Sequence, residues 1–60
     1  MTINANEYKI HEVPTCATKY NYIVAREHND TMYYWGAFNK ETDALESAHE
    51  VHGIVIPLQK

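Results

Sequence analysis

Six of the seven aromatic residues in this 60-residue chain lie between Tyr20 and Phe38. Residues 20–26 and 31–38 are rich in aromatic and β-branched side chains, and the polar residues 28–30 between them suit a turn. This stretch therefore predicts a β-hairpin. Successive side chains of a strand point to opposite faces, and apolar residues occupy both odd and even positions here, so both faces of the hairpin are apolar.

The length of the chain limits how those two faces can be covered. Sixty residues predict a single domain, 1–60, and folding such a chain hides only about 60% of the surface that its unfolded form exposes. Its net stability is typically about 3–5 kcal/mol unless a disulfide, a metal or oligomerisation adds to it. Cys16 is the only cysteine, which excludes an internal disulfide and leaves metal binding or self-association.

The residues before the hairpin predict one strand. Residues 7–13 alternate in part between apolar and polar side chains, as a half-exposed strand does, and Pro14 ends the pattern because it lacks an amide donor. Residues 1–6 are polar and few, so we expect them to be frayed. Residues 15–19 are expected to connect this strand to the hairpin.

A helix and a last strand follow the hairpin. Asn39 suits the N-cap of a helix, and Gly53 suits the left-handed position just beyond its end. Residues 54–58 are an apolar run that predicts a strand, and Pro57 indicates that this strand lies at a sheet edge or that the proline is near the end of the strand. Between the two ends, one stripe at the helical period carries Ala44, Leu45, Ala48, Val51 and His52.

This order of elements predicts an α+β fold, a small β-β-β-α-β domain with an antiparallel sheet and one helix packed on one face. A single helix leaves the other face of the hairpin to water, to a second copy or to a partner. Aromatic side chains bury about 150–250 Å² each, so shielding two or three of them contributes several kcal/mol at about 25 cal/mol per Å². That gain is comparable with the whole stability expected of the monomer.

We therefore predict a non-enzymatic protein-interaction module, a homodimer joined through its aromatic sheet face or an edge strand, which binds and modulates another macromolecule. Two alternatives stay open: the tyrosines can simply rest on a hydrated sheet surface, or the rings can form a base-stacking platform as in RNA-recognition sheets. The sequence does not fix the register that decides which side chains share a face. The residues expected to make the contact are Tyr22, Tyr34, Trp35 and Phe38.

The balance of charge bears on the class of partner. Five Lys and Arg stand against eight Asp and Glu, a formal charge of −3, and the basic residues are scattered singly. Binding to nucleic acid favours clustered Lys and Arg, so we expect no direct contact with nucleic acid. The alternative function is a small acidic inhibitor of a nucleic-acid-handling enzyme, of the type that phages and mobile elements encode, in which Asp43, Glu46 and Glu50 imitate phosphates.

Residues that could carry chemistry are few. His49 and His52 have a spacing that can place two imidazoles on one metal, with His11 and Cys16 as further ligands, but no CxxC or HExxH framework supports this. Cys16 beside His11 or His28 would also need a concave substrate site to act as a nucleophile, which so short a chain rarely forms. We therefore expect no enzyme activity, no cofactor and no metal.

The sequence also predicts a location. The first residues contain no apolar stretch typical of a secretion signal, and no apolar run approaches the ~18–20 residues that a membrane span needs. With one cysteine and neither of these signals, we expect a cytoplasmic protein that does not contact a membrane.

Overall fold

The structure is a computed structural model that describes residues 2–5 and 8–58. The sheet has five strands in the order β1-β2-β4-β3-β5, and one α-helix packs on it, which confirms the α+β class. A short 3₁₀ helix (Thr15–Lys19) lies between the second and third strands. In chain order the other elements are β1 (Ile3–Ala5), β2 (Tyr8–His11), β3 (Tyr22–His28), β4 (Thr31–Phe38), α1 (Glu41–Val51) and β5 (Ile54–Pro57).

The sheet is mixed, so the prediction of a purely antiparallel sheet was wrong in one pair. β2 runs parallel to β4, with Ile10 opposite Met32 and His11 opposite Tyr33, whereas the remaining neighbours are antiparallel. With β5 on the other edge of β3, β2 lies beside β4 rather than beside β3. Strand β2 runs antiparallel to β3, and because the hairpin reverses the chain between β3 and β4, β2 is parallel to β4.

The hairpin formed by β3 and β4 is confirmed. Asn29 and Asp30 both have positive φ, 52° and 63°, and the strands resume pairing at once on either side. A two-residue turn with two left-handed residues has the type I′ geometry, whose twist matches the twist of the flanking strands. Asn and Asp tolerate this backbone better than most other residues, which explains why the turn forms here.

A β-bulge interrupts the hairpin at Trp35. Val24 lies opposite Gly36 and Ala25 opposite Tyr34, so Trp35 is an extra residue with no partner in β3. A glycine inside a strand, such as the neighbouring Gly36, often marks a bulge, a bend or a close approach of another group, and the structure shows a bulge. Such an extra residue changes the direction in which the local side chains point, which matters for the exposed surface described below.

The N-terminal segment also differs from the expectation of a frayed end. Ile3–Ala5 forms β1, which pairs antiparallel with β2 and places Ile3 opposite Ile10. Ile3 packs against the buried cluster around Ile10, and this apolar contact explains why a short polar segment takes a place in the sheet. Met1 and Asn6 of the segment lie outside the described residues.

Helix α1 packs on one face of the sheet, as predicted. Ala44 and Ala48 are buried against Val24, because their small side chains let the helix lie close to the strands. Leu45 and His52, however, are exposed rather than part of the buried stripe, with 52% of the surface of Leu45 accessible. The remaining side chains in this contact are Tyr22, Phe38, Val51 and Val55.

The opposite face of the sheet is covered by the chain itself, so the prediction that a single helix leaves this face to water, to a second copy or to a partner was wrong. The connection between β2 and β3 crosses this face, and its residues Val13 and Ala17 are fully buried against Ile23 and Ile56. The 3₁₀ helix holds the connection in shape, since the Ala17 amide donates to the Pro14 carbonyl oxygen at 3.0 Å. The same buried cluster contains Ile10, Ala25 and Met32.

The ends of α1 are formed by residues other than those expected. The N-cap position is Lys40 rather than Asn39, and it has no side-chain cap. The backbone carbonyl oxygen of Asn39 accepts a hydrogen bond from Asn21 Nδ2 at 3.3 Å. At the other end His52 takes the left-handed conformation, with φ 56°, and the Gly53 amide donates to the Ala48 carbonyl oxygen at 2.8 Å. This is a Schellman end with histidine at the left-handed position where glycine is most common.

Gly53 is required for a different reason. Its φ is not positive, but a Cβ at this position would lie well inside van der Waals distance of the Ala25 carbonyl oxygen. The backbone that leaves α1 therefore passes directly against β3 before β5 begins.

Candidate functional site

Helix α1 covers only part of its face of the sheet. It packs mainly against β3, β4 and β5, which leaves β1, β2, the first half of β4 and the adjoining end of β3 uncovered on the helix side. Because neighbouring strands lie about 4.8 Å apart, this uncovered part is roughly 10–14 Å wide. We call it the open sheet surface and define it by Lys9, His11, Arg26, His28, Tyr33 and Trp35.

Side chains from three adjacent strands, β2, β4 and β3, form the centre of the open sheet surface. Arg26 lies two residues after Val24, which packs under the helix, so both side chains point to the helix side. Tyr33 of β4 lies between the two neighbouring strands, directly opposite Arg26 of β3 and directly opposite His11 of β2. The ring centroids of His11 and Tyr33 are 5.9 Å apart, and those of His28 and Tyr33 are 6.4 Å apart.

Trp35 is the most prominent side chain of this surface. As the extra residue of the β-bulge it has no partner in β3, and 49% of its surface is exposed. The Arg26 guanidinium carbon lies 5.6 Å from the centroid of the Trp35 ring. A cation over the face of an exposed tryptophan contributes about 0.5–1 kcal/mol, enough to favour one orientation of the ring while leaving its outer side accessible.

The open sheet surface has a charge of its own. It carries Lys9 and Arg26 with two histidines, and among the described strand positions that point to the helix side none is an Asp or Glu. The predicted acidic ridge of Asp43, Glu46 and Glu50 is exposed on α1, on the same side of the sheet. The helix side of the molecule therefore has an acidic helix beside a basic, aromatic sheet surface.

The four residues that the sequence analysis predicted for the contact do not share one surface. Tyr22 and Phe38 are half-buried under α1, whereas Tyr34 is half-buried on the opposite face, beneath the connection. Only Trp35 is exposed. Arg26, His11 and Tyr33 were not predicted for the contact, because their neighbourhood depends on the parallel pair and on the position of the extra residue in the bulge, and neither is fixed by local sequence.

The partly buried position of Tyr34 changes the pKa of its hydroxyl group. Burial raises the pKa of Tyr34 above its ordinary value of 10.0, and the nearby negative charges that Cys16 and Tyr20 acquire when they ionise raise it further. These neighbours lie on and just after the 3₁₀ helix, so the shift is a consequence of the connection covering this face.

We expect this shift to make folding stability depend on alkaline pH. The pKa of Tyr34 is higher in the folded than in the unfolded chain, so its contribution to stability is complete below pH 10 and is lost as pH rises through the folded pKa. Tyr34→Phe should therefore lose less stability than the unchanged protein over this range, in urea unfolding followed by circular dichroism. The control is Tyr8→Phe, which changes an exposed tyrosine in β2 and should follow the unchanged protein. Superimposable curves of stability against pH for all three proteins would contradict the prediction.

Potential ligands for a metal are dispersed over the surface. His49 and His52 are exposed on and just beyond α1, His11 lies in the open sheet surface, and Cys16 is exposed on the 3₁₀ helix. In residues 2–5 and 8–58 no three His, Cys, Asp or Glu side chains come together as a group that could hold a metal ion.

The edge of the sheet at β5 offers little for pairing with another strand. The Leu58 amide donates to the Asn21 carbonyl oxygen at 2.9 Å, so by alternation the backbone groups of Val55 and Pro57 face the free edge. Pro57 has no N–H, and an edge strand that carries proline is a poor template for strand addition. The predicted position of Pro57 at a sheet edge is confirmed, and it makes this edge a weak candidate for the contact.

Comparisons with known proteins add no name to this site, since no family model, curated protein or solved structure matches the chain. In the part of the chain that the structure describes, the single α-helix is too short and too polar to cross a membrane.

Proposed function

We propose that this protein is a non-enzymatic, cytoplasmic protein-interaction module and that the open sheet surface is its contact surface. The observation that carries the proposal is the half-exposed Trp35, which a β-bulge places over Arg26 beside Tyr33. Tryptophan, arginine and tyrosine are the residue types that most often dominate the energy of protein interfaces. The exposed Cys16 is compatible with a reducing compartment.

The charges of the chain favour a protein partner over nucleic acid. Only Lys9 and Arg26 carry a permanent positive charge on the open sheet surface, and the whole chain has a formal charge of −3. Nucleic-acid strands need several such contacts, and one that crossed this surface would also approach the exposed carboxylates of α1. A protein segment with a few carboxylates needs fewer cations than a nucleic-acid strand, and it need not cross the carboxylates of α1.

The acidic inhibitor remains the second candidate because Asp43, Glu46 and Glu50 are all exposed on one ridge of α1. In that function the ridge, rather than the open sheet surface, would contact a basic groove of an enzyme. The two candidates therefore predict contact through two different surfaces on the helix side of the molecule.

Site-specific photo-cross-linking separates these candidates. A photoreactive phenylalanine analogue replaces Trp35 in one variant, Tyr8 in a second and Glu46 in a third, and each is irradiated in the native host. The proposal predicts a discrete protein adduct at position 35 and none at position 8, which is similarly exposed, 44% against 49%, but belongs to the opposite face of the sheet. Adducts at position 46 without any at position 35 would overturn it in favour of the inhibitor.

A further inference from the structure

We infer that helix α1 of a second copy of this chain binds the open sheet surface, so that the protein forms a two-fold symmetric dimer with both helices enclosed between two sheets. This inference rests on the proposed function, because it identifies the partner of the same surface. Three features of the molecule support it: the space beside α1, the distribution of charge and the symmetry of the arrangement.

The space beside α1 has the width of one helix. Five strands spaced about 4.8 Å apart give a sheet roughly 20–24 Å wide, whereas an α-helix with its side chains is about 10 Å across. Helix α1 lies over the β3 and β5 side, which leaves β1, β2 and the start of β4 for a second element of similar width. The 60-residue chain contains no second α-helix within its described residues.

The outer side of α1 has the charge that the open sheet surface would bind. Ala44 and Ala48 are buried against the sheet, so Glu46 and Glu50 lie on the opposite side of the helix, where both are exposed. Lys9 and Arg26 lie on the open sheet surface of the same molecule. A helix from a second copy would place carboxylates against these two cations.

A two-fold symmetric dimer is possible because helix α1 and the open sheet surface lie on the same side of the sheet. When two copies face each other, the helix of each lies over the open sheet surface of the other, and a two-fold axis relates the two identical contacts. Each contact is about 16 Å long, the length of the 11 residues of α1. The exposed Leu45 and Trp35 supply apolar surface to the same layer.

Reversal of charge tests this pairing directly. Sedimentation equilibrium of the purified 60-residue chain, from micromolar to millimolar concentration at low salt, should show a monomer–dimer equilibrium. Arg26→Glu should weaken the dimer about tenfold or more, because symmetry converts two attractive contacts into two repulsive ones. The double variant Glu46→Lys/Glu50→Lys should weaken it similarly, and the variant that combines all three changes should restore most of the affinity.

Net charge alone would give a different result. Glu46→Lys/Glu50→Lys changes the formal charge from −3 to +1, so a general electrostatic effect would strengthen association in this variant, while Arg26→Glu would weaken it. Glu27→Lys is the matched control, since Glu27 is exposed and pairs with Met32, whose side chain belongs to the opposite face, and it should leave the dimer unchanged. Circular dichroism of each variant verifies folding.

Each outcome decides the inference without ambiguity. Dimerisation weakened by both reversals and restored by their combination supports it. A purified chain that stays monomeric at millimolar concentration, or a dimer that the combined variant does not restore, overturns it. If the chain is monomeric but position 35 cross-links to another protein in the host, the second copy is the wrong partner and the proposed function stands.

Discussion

Gly53→Ala is expected to destabilise the protein by about 3 kcal/mol, measured by urea unfolding, which approaches the whole stability typical of a domain of this size. The added Cβ would overlap the Ala25 carbonyl oxygen, which is backbone in the central part of the sheet and cannot rotate away. Relief of the overlap would move either β5 away from β3 or the end of α1 away from the sheet, and both movements open the buried cluster under the helix.

Gly36→Ala is the matched control for this change. A Cβ at Gly36 would lie 3.1 Å from Cε2 of Phe38, a side-chain atom at the end of a ring that can shift. We therefore expect a loss below about 1 kcal/mol at this position. If both variants unfold at the same urea concentration, the close approach of the chain at Gly53 is not what holds the end of α1 against the sheet.

Ala17→Glu is expected to have the second large effect. Ala17 is fully buried on the face opposite the helix, and a carboxylate there would have to lose its water without a charged partner, at a cost of several kcal/mol. The connection should then lift from the sheet or the whole chain should unfold. Urea unfolding and the binding of a hydrophobic dye, which reports exposed apolar surface, measure the two results separately.

Thr15→Glu controls for the added charge, because Thr15 is exposed at the start of the same 3₁₀ helix. It should leave stability nearly unchanged. If Ala17→Glu is tolerated equally well without dye binding, the connection does not cover this face, and the sheet would again need a partner on its second side.

The sequence predicted the elements that have a local signal. Aromatic and β-branched residues on either side of the polar residues 28–30 identify the hairpin, and Asn29 and Asp30 in that segment tolerate the left-handed backbone that a two-residue turn requires. The period of the apolar residues identifies α1, and Pro57 identifies an edge strand because it lacks an amide donor. Each of these depends only on neighbouring residues.

The sequence did not predict how the second face is covered. Val13 and Ala17 are the two fully buried residues of the connection. Pro14, Thr15 and Cys16 lie between them, and two apolar residues alone do not define the period of a helix or a strand. The presence of an alanine also does not indicate whether its position is buried or exposed. The contribution of these residues depends on the sheet that they meet, which is assembled from distant parts of the chain.

The candidate site was unpredictable for a related reason. A shift of one residue in register moves a side chain to the other face of a sheet, and the bulge at Trp35 introduces such a shift in the middle of the aromatic run. Tyr34 and Phe38 are four residues apart and would share a face in a regular strand, yet the bulge leaves Tyr34 beneath the connection and Phe38 under α1.

The parallel pair of β2 with β4 has a consequence for the order in which the chain folds. The β3–β4 hairpin can form early, because its turn brings close neighbours in the chain together. Strands β1 and β2 are also neighbours in the chain and can pair with each other early, but β2 can join β4 only after the β3–β4 hairpin exists. The parallel contact therefore joins two strand pairs that can each form from local contacts.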